Sequence, residues 1–286
     1  MRYTCVDRRR NHYSIRMMCT LLRVSRSGYY AWRGRPESAT KRRNRQLTNK
    51  IRSLHAASGG VYGSPKIHQQ LVAGGESCGR HKVARLMRQA GLRGCPKKRY
   101  RSHSSPAVAV KAANLLQQDF SAEQANERWV SDITFIPTRQ GWLYLATVMD
   151  LYSRRIIGWS MGRRIDRHLA LKALNMALGQ RRVAVDLIHH SDRGAQYLSD
   201  DYQALLKKHG IRCSLSGAGS CYDNAAAESF FSLLKRERVN RVSYRTREEA
   251  RSDVFDYIER FYNRQRSHSY LGYNSPVEFE RQAVGA

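Results

Sequence analysis

With 286 residues, of which 41% are hydrophobic, the chain can bury an ordinary globular core. Its 51 Lys and Arg against 23 Asp and Glu leave a formal net charge of +28, more than solubility requires, and point to a polyanionic partner. No apolar run approaches the roughly 18 residues of a membrane span, none follows the N-terminal arginines as in a signal peptide, and the cysteines form no CxxC pair. These features argue against a membrane protein, a secreted disulfide scaffold and a zinc knuckle.

The charge is unevenly placed. Residues 1–110 hold 25 basic and 3 acidic side chains, net +22, whereas residues 111–286 are net +6. Nucleic acid is therefore the expected partner of the first third, in a reducing, cytoplasmic setting, and anionic lipid is the lesser alternative. Ser14 can cap a short helix with Ile15, Met18, Cys19 and Leu22 at helical spacing, and VSRS turns into GYYAW, a compact helix-turn-helix pattern. Tyr29, Tyr30 and Trp32 read as its small core, with base stacking as the alternative. The basic stretch from Arg33 to Arg45 reads as a linker, and NRQLTNKIRSLH as the next helix. Ser64 as cap and Pro65 at the first helical position open PKIHQQLVA, which Gly74 and Gly75 stop. HKVARLMRQAGL then sets Val83, Leu86, Met87 and Ala90 on one face, a second helix-turn-helix candidate with Arg80, His81, Lys82, Arg85 and Arg88 available to DNA. Residues 94–106 read as an irregular basic connector.

From Arg128 the pattern becomes extended. RWVSDITFIP and WLYLATVMDLYSRRIIGWSM, rich in β-branched and aromatic residues, read as three strands of an antiparallel meander. DRHLALKALNMAL reads as a helix, VAVDLIHH as a buried strand, SDDYQALLKKHG as a helix, IRCSLS as a short strand and NAAAESFFSLLKRE as a further helix. That order predicts an α/β fold, a mixed sheet with helices on both faces. YIERFYNRQRSHSYLGYNSPVEF reads as a helix and ordered tail, with Arg264, Arg266 and His268 tracking DNA or covering the surface.

Asp132 falls in the middle of an apolar strand, where a carboxylate is costly unless paired, protonated or metal-bound. Asp192 follows the fourth strand, while Asp150 and Asp223 sit nearer turns, where Asp is ordinary. In the helix after strand five, Asn224, Glu228, Ser232 and Lys235 share one stripe, which is either a solvated face or a site-facing one. Should that helix cross the sheet, Glu228 joins the two aspartates, and three carboxylates around one point call for divalent cations such as Mg²⁺ or Mn²⁺. Two such ions suit in-line phosphoryl transfer. His189 and His190 point to opposite faces of one strand and read as structural.

The 35 residues between Asp192 and Glu228 resemble the DD(35)E spacing of transposases and retroviral-type integrases. The blocks WVSDITFIPT, GWLYLATVMDLYSRRIIGW, HHSDRGAQY, CYDNAAAESFFSLLK and RSHSYLGYNSPVEFE resemble the second-frame (OrfB) transposases of the IS3 family of bacterial insertion sequences. YSIRMMCTLLRVSRSGYYAW and GVYGSPKIHQQL resemble its N-terminal segments, so the likeness spans nearly the whole chain. It implies a bacterial, nucleoid-associated enzyme with an RNase H-like catalytic domain. Asp132 and Asp192 would lie on neighbouring strands, Glu228 would complete a Mg²⁺ site, and Lys235 would contact DNA. Asn224 is expected either to touch DNA or to orient the site. The expected division is a helix-turn-helix at 1–36, a second basic region and linker at 37–110, and the catalytic domain with its tail at 111–286. The expected partners are the element's terminal inverted repeats, target DNA, further copies of the chain and an upstream-frame OrfA protein or fusion; a non-catalytic DNA-binding regulator is the rival reading.

Overall fold

The computed structural model describes residues 2–96, 114–116, 119–217 and 224–284. Most of the expected basic connector, together with Cys221 and Asp223, lies outside the described residues. The basic third is helical: α1 (Arg2–Arg9), α2 (Ile15–Leu21) and α3 (Arg26–Gly34), then α4 (Ala39–Ala57), α5 (Ser64–Ala73) and α6 (Arg80–Gln89). Val6, Met18, Cys19 and Tyr29 make one small core, and Leu47, Ile51, Ile67, Leu71, Val83, Leu86 and Met87 make another.

Local details depart from the sequence reading. Helix α1 has no apolar period to announce it, since Val6 is the residue it buries. The expected linker is shortened because the Ser38 hydroxyl accepts the Lys41 N–H and starts α4 at Ala39. Gly63 takes the cap position of α5 in place of Ser64, and Pro65 occupies the first turn, where its missing N–H costs nothing.

The rest of the chain alternates. Strands β1 (Arg128–Thr138), β2 (Gly141–Asp150) and β3 (Ile156–Gly162) form the antiparallel meander; α7 (Arg167–Gln180), β4 (Ile188–Ser191), α8 (Ala195–Leu198), α9 (Asp200–Lys208) and β5 (Arg212–Leu215) follow. Helices α10 (Ala225–Glu237), α11 (Arg247–Phe255), which runs on into a π-helical stretch at Asp256–Tyr262, and α12 (Pro276–Val284) complete the chain. Among the described residues the sheet order is β3-β2-β1-β4-β5, with β4 parallel to both β1 and β5. Strand β4 is half the expected length, because Asp186 turns the chain with φ +63 just ahead of it.

Helix α7 covers one sheet face through Leu169, Ala173 and Leu174 against Trp129, Val148 and Ile157. Helices α10 and α11 cover the other through Phe230, Leu234 and Val254 against Val130, Ile136 and Leu145. A mixed sheet in this order, sandwiched by helices, is the α/β RNase H-like fold. The second helical unit rests on it. Phe261 packs into the core of α4–α6, Ser267 N–H donates to the Tyr62 hydroxyl at 2.8 Å, and Arg241 donates to the Gly59 carbonyl at 2.9 Å.

Candidate active site

Parallel pairing of β1 with β4 sets Ser131 opposite Ser191, so Asp132 and Asp192 are each the next residue on strands about 4.8 Å apart. Asp132 is half-buried and its Oδ1 accepts the Ile133 N–H at 2.7 Å. Asp192 is more exposed, and its Oδ1 accepts the Gly194 N–H at 3.0 Å, which shapes the turn into α8. Helix α10 is brought to the same place by Asn224, whose Nδ2 donates to the Ser131 carbonyl at 3.2 Å. One turn later on the same stripe stands the half-buried Glu228.

Electrostatics ties the three together. Asp132 is pushed up to about 8, first by burial, then by the charge of Asp192 and to a smaller extent that of Glu228, against the pull of the Ile133 N–H and of Lys235. Desolvation raises Asp192 and Glu228 as well. Tyr197, buried in α8, feels the charges of both aspartates, which push its hydroxyl up beyond what burial alone does. Among the described residues no three acidic, His or Cys side chains are already gathered into a closed cation site. The donor set is nonetheless all oxygen, and the mutual repulsion on Asp132 marks a place short of positive charge, which fits a hard divalent cation.

Comparison with known proteins decides what this arrangement belongs to. Two models described as integrase core domain match residues 122–221 and 228–284, and one described as HTH-like domain matches residues 41–100. Transposase InsF for insertion sequence IS3A from Escherichia coli K12 is 43% identical over 289 residues, covering 99% of each chain. The chain belongs to the IS3 family of insertion-sequence transposases. As an IS3-family transposase it is a DNA polynucleotidyl transferase and a DNA-binding protein. A further relative is the IS600 uncharacterized 31 kDa protein of Shigella sonnei, 40% identical over 93% of this chain and 98% of that one. Among solved structures, the HTLV-2 integrase catalytic core in complex with magnesium is similar over 56% of this chain and 99% of that one, at 13% identity and a TM-score of 0.45.

The remaining expected site residues of this IS3-family chain are distributed as follows. Arg80, Arg85 and Arg88 are exposed and Lys82 half-buried on α6. Lys235 is half-buried, with its Nζ 4.5 Å from the centre of the Phe135 ring and its charge pulling on Asp132. Asn224 is 5% exposed, and its side chain is the one that holds the Ser131 carbonyl. His189 and His190 are fully buried: His189 bonds Ser131 Oγ and the Tyr202 hydroxyl, His190 bonds Ser214 and Ser216, and burial pushes His189 down to about 3. Both are structural. Tyr29 is likewise a core residue, its hydroxyl donating to Asp7 at 2.9 Å, while Tyr30 stays half-exposed.

Arg266 and His268 correct the sequence reading, since both are buried and neither tracks DNA nor covers the surface; Arg264 is exposed. Arg266 grips both oxygens of buried Glu237 at 2.6 and 2.8 Å, and Tyr257 donates to the same carboxylate at 2.9 Å. Burial opposes the Glu237 charge, but the Arg266 guanidinium outweighs it and holds the carboxyl below its usual range. Glu237 lies near the C-terminal end of α10, so this cluster fixes one end of the helix and Asn224 the other. Sequence reasoning passed over Glu237. The available signal was its place on the apolar side of an otherwise amphipathic helix.

Proposed function

We propose that this transposase catalyses divalent-metal-dependent cleavage at the ends of its element and transfer of the freed 3′-hydroxyl into target DNA, through Asp132, Asp192 and Glu228. The observation that carries this reading is the parallel β1–β4 register, which sets Asp132 and Asp192 side by side, with the Asn224–Ser131 hydrogen bond bringing the helix of Glu228 to the same place; the upward shift of Asp132 agrees with it. Asp132, Asp192 and Glu228 would hold two Mg²⁺ or Mn²⁺ ions, which supply Lewis-acid activation of the attacking oxygen and stabilisation of the leaving one. The chain's own contribution is placement. Asn224 sets the start of α10 against β1, the Glu237–Arg266 pair holds its other end, and Lys235 offers a cation for the phosphate next to the reacting one.

Arg80, Lys82, Arg85 and Arg88 on α6 are assigned to phosphate and groove contacts with the element's terminal inverted repeats. Cleavage at two ends requires self-association on DNA, and an upstream-frame OrfA protein or fusion is the expected further partner. Among the described residues no helix is long and apolar enough to cross a membrane. The test is a joining assay with a duplex bearing a pre-cut 3′-hydroxyl, drawn from the DNA flanking the gene, together with a plasmid target. Joined product should require Mg²⁺ and disappear with EDTA or with Glu228→Gln. Binding without joining under every metal condition, including with the upstream-frame fusion, moves the reading to a DNA-binding regulator.

A further inference from the structure

The β1–β2 hairpin tip holds two large rings that the core does not use. Register sets Phe135 opposite Tyr144 and Pro137 opposite Trp142, so Phe135 and Trp142 are diagonal neighbours on one sheet face. Their ring centres are 4.9 Å apart at 76°, and they remain 49% and 47% exposed. The tip is held from outside: Arg247 donates its backbone N–H to Gln140 Oε1 at 3.1 Å and its Nε to the Trp142 carbonyl at 3.0 Å, and the Arg139 N–H reaches the Tyr244 carbonyl at 3.1 Å. Rings mounted this way lose little freedom when something packs on them. Lys235 links them to the carboxylate-bearing helix, because its Nζ lies over Phe135 and it stands two turns beyond Glu228 on the same stripe of α10. Phe135 is three residues from Asp132, about 10 Å along an extended strand, and the odd spacing turns the two side chains to opposite sheet faces, so Lys235 is what joins the rings to the carboxylate side.

Resting on the transposase reading, we propose that Phe135 and Trp142 are a stacking platform for an unpaired base of the DNA strand that enters the carboxylate site. Edge-to-face pairing alone would account for two rings that shield each other, not for rings left half in water beside a basic side chain. With Lys235, Arg139 and Arg247 around the rings, the partner at such a surface is a polyanion, and among polyanions nucleic acid adds flat π-faces. Bases within a duplex already stack on one another, so the platform takes a base released from pairing near the strand end.

The test uses the full-length protein in EDTA and two duplexes from the DNA flanking the gene, one fully paired and one with its last bases unpaired. Each carries 2-aminopurine near the 3′ end, whose fluorescence falls on stacking. Wild type should quench the unpaired probe. Trp142→Ala and Phe135→Ala should weaken binding to that probe about ten- to a hundredfold while changing affinity for the paired duplex less than about twofold, and Trp142→Tyr should restore most of the loss. Equal loss on both duplexes, no loss on either, or a change only in self-association on sedimentation overturns the proposal. Cleavage with Mg²⁺ is scored separately. A wild type that quenches but never cuts sinks the transposition chemistry and leaves the platform; one that cuts, with Trp142→Ala binding and cutting equally well, sinks the platform alone.

Discussion

Asp132 keeps its proton to higher pH than a carboxyl in water, because burial and two neighbouring carboxylates oppose its charge. Its folded value of about 8 exceeds the unfolded value of about 3.9, so the native state binds the extra proton between them. The stability this contributes is full below about pH 4 and is lost as pH rises through about 8. Metal-free protein should therefore melt lower at about pH 8.5 than at pH 6, Asp132→Asn should flatten that difference, and Mg²⁺ should raise the melting temperature of wild type but not of the variant. Differential scanning fluorimetry reads all three. Glu228→Gln should fold normally and lower strand joining at least about a hundredfold. Glu237→Gln belongs to another class: it leaves Arg266 buried with half its partner, which should cost about 3–5 kcal/mol in urea unfolding without touching the carboxylate site directly. These residues were unequally legible. An Asp inside WVSDITF contradicts its apolar surroundings and so announces itself, as does the spacing from Asp192 to Glu228. Glu237 could be singled out only by its place on the apolar side of α10, and nothing local distinguishes Arg266, because the burial of both is created by contact between segments 29 residues apart.

At the scale of elements, β1 to β3, α7, α9 and α10 could be located from periodicity, since β-branched and aromatic runs give way to helical spacing at clear turns, whereas the single-turn α8 could not. Helix starts were less legible, because Ser38 caps through its hydroxyl inside an arginine-rich stretch with no apolar period, and Gly63 caps through backbone geometry alone. Two glycines show where elements meet. A Cβ on Gly158 of β3 would stand 2.2 Å from the Ala173 carbonyl oxygen of α7, so the helix lies against bare backbone there. Gly158→Ala should cost at least about 1–3 kcal/mol and lower soluble yield, because neither backbone can yield without unseating the whole face. Gly141 sits at φ +94 at the hairpin tip, and Gly141→Ala should cost about 1–3 kcal/mol in thermal unfolding.

At the scale of the molecule, the second helical unit and the RNase H-like unit are joined by contacts that span more than 200 residues of sequence, such as Tyr62 with Ser267. Such ties are invisible to any local pattern. Tyr62→Phe removes the acceptor of a buried N–H, which should cost about 1–3 kcal/mol and speed proteolytic separation of the two parts, read by limited trypsin digestion. The same long reach shapes the order of assembly. The basic helices close over short stretches of chain, whereas Asp132 meets Asp192 across a parallel crossover, and the anchor of α10 spans 93 residues. Local contacts form fastest and parallel pairings late, and domains fold as units from the N-terminus during synthesis. A chain still leaving the ribosome therefore has its basic helices formed before its carboxylates have met. On the proposed function, such a nascent chain can hold DNA before it is able to cut.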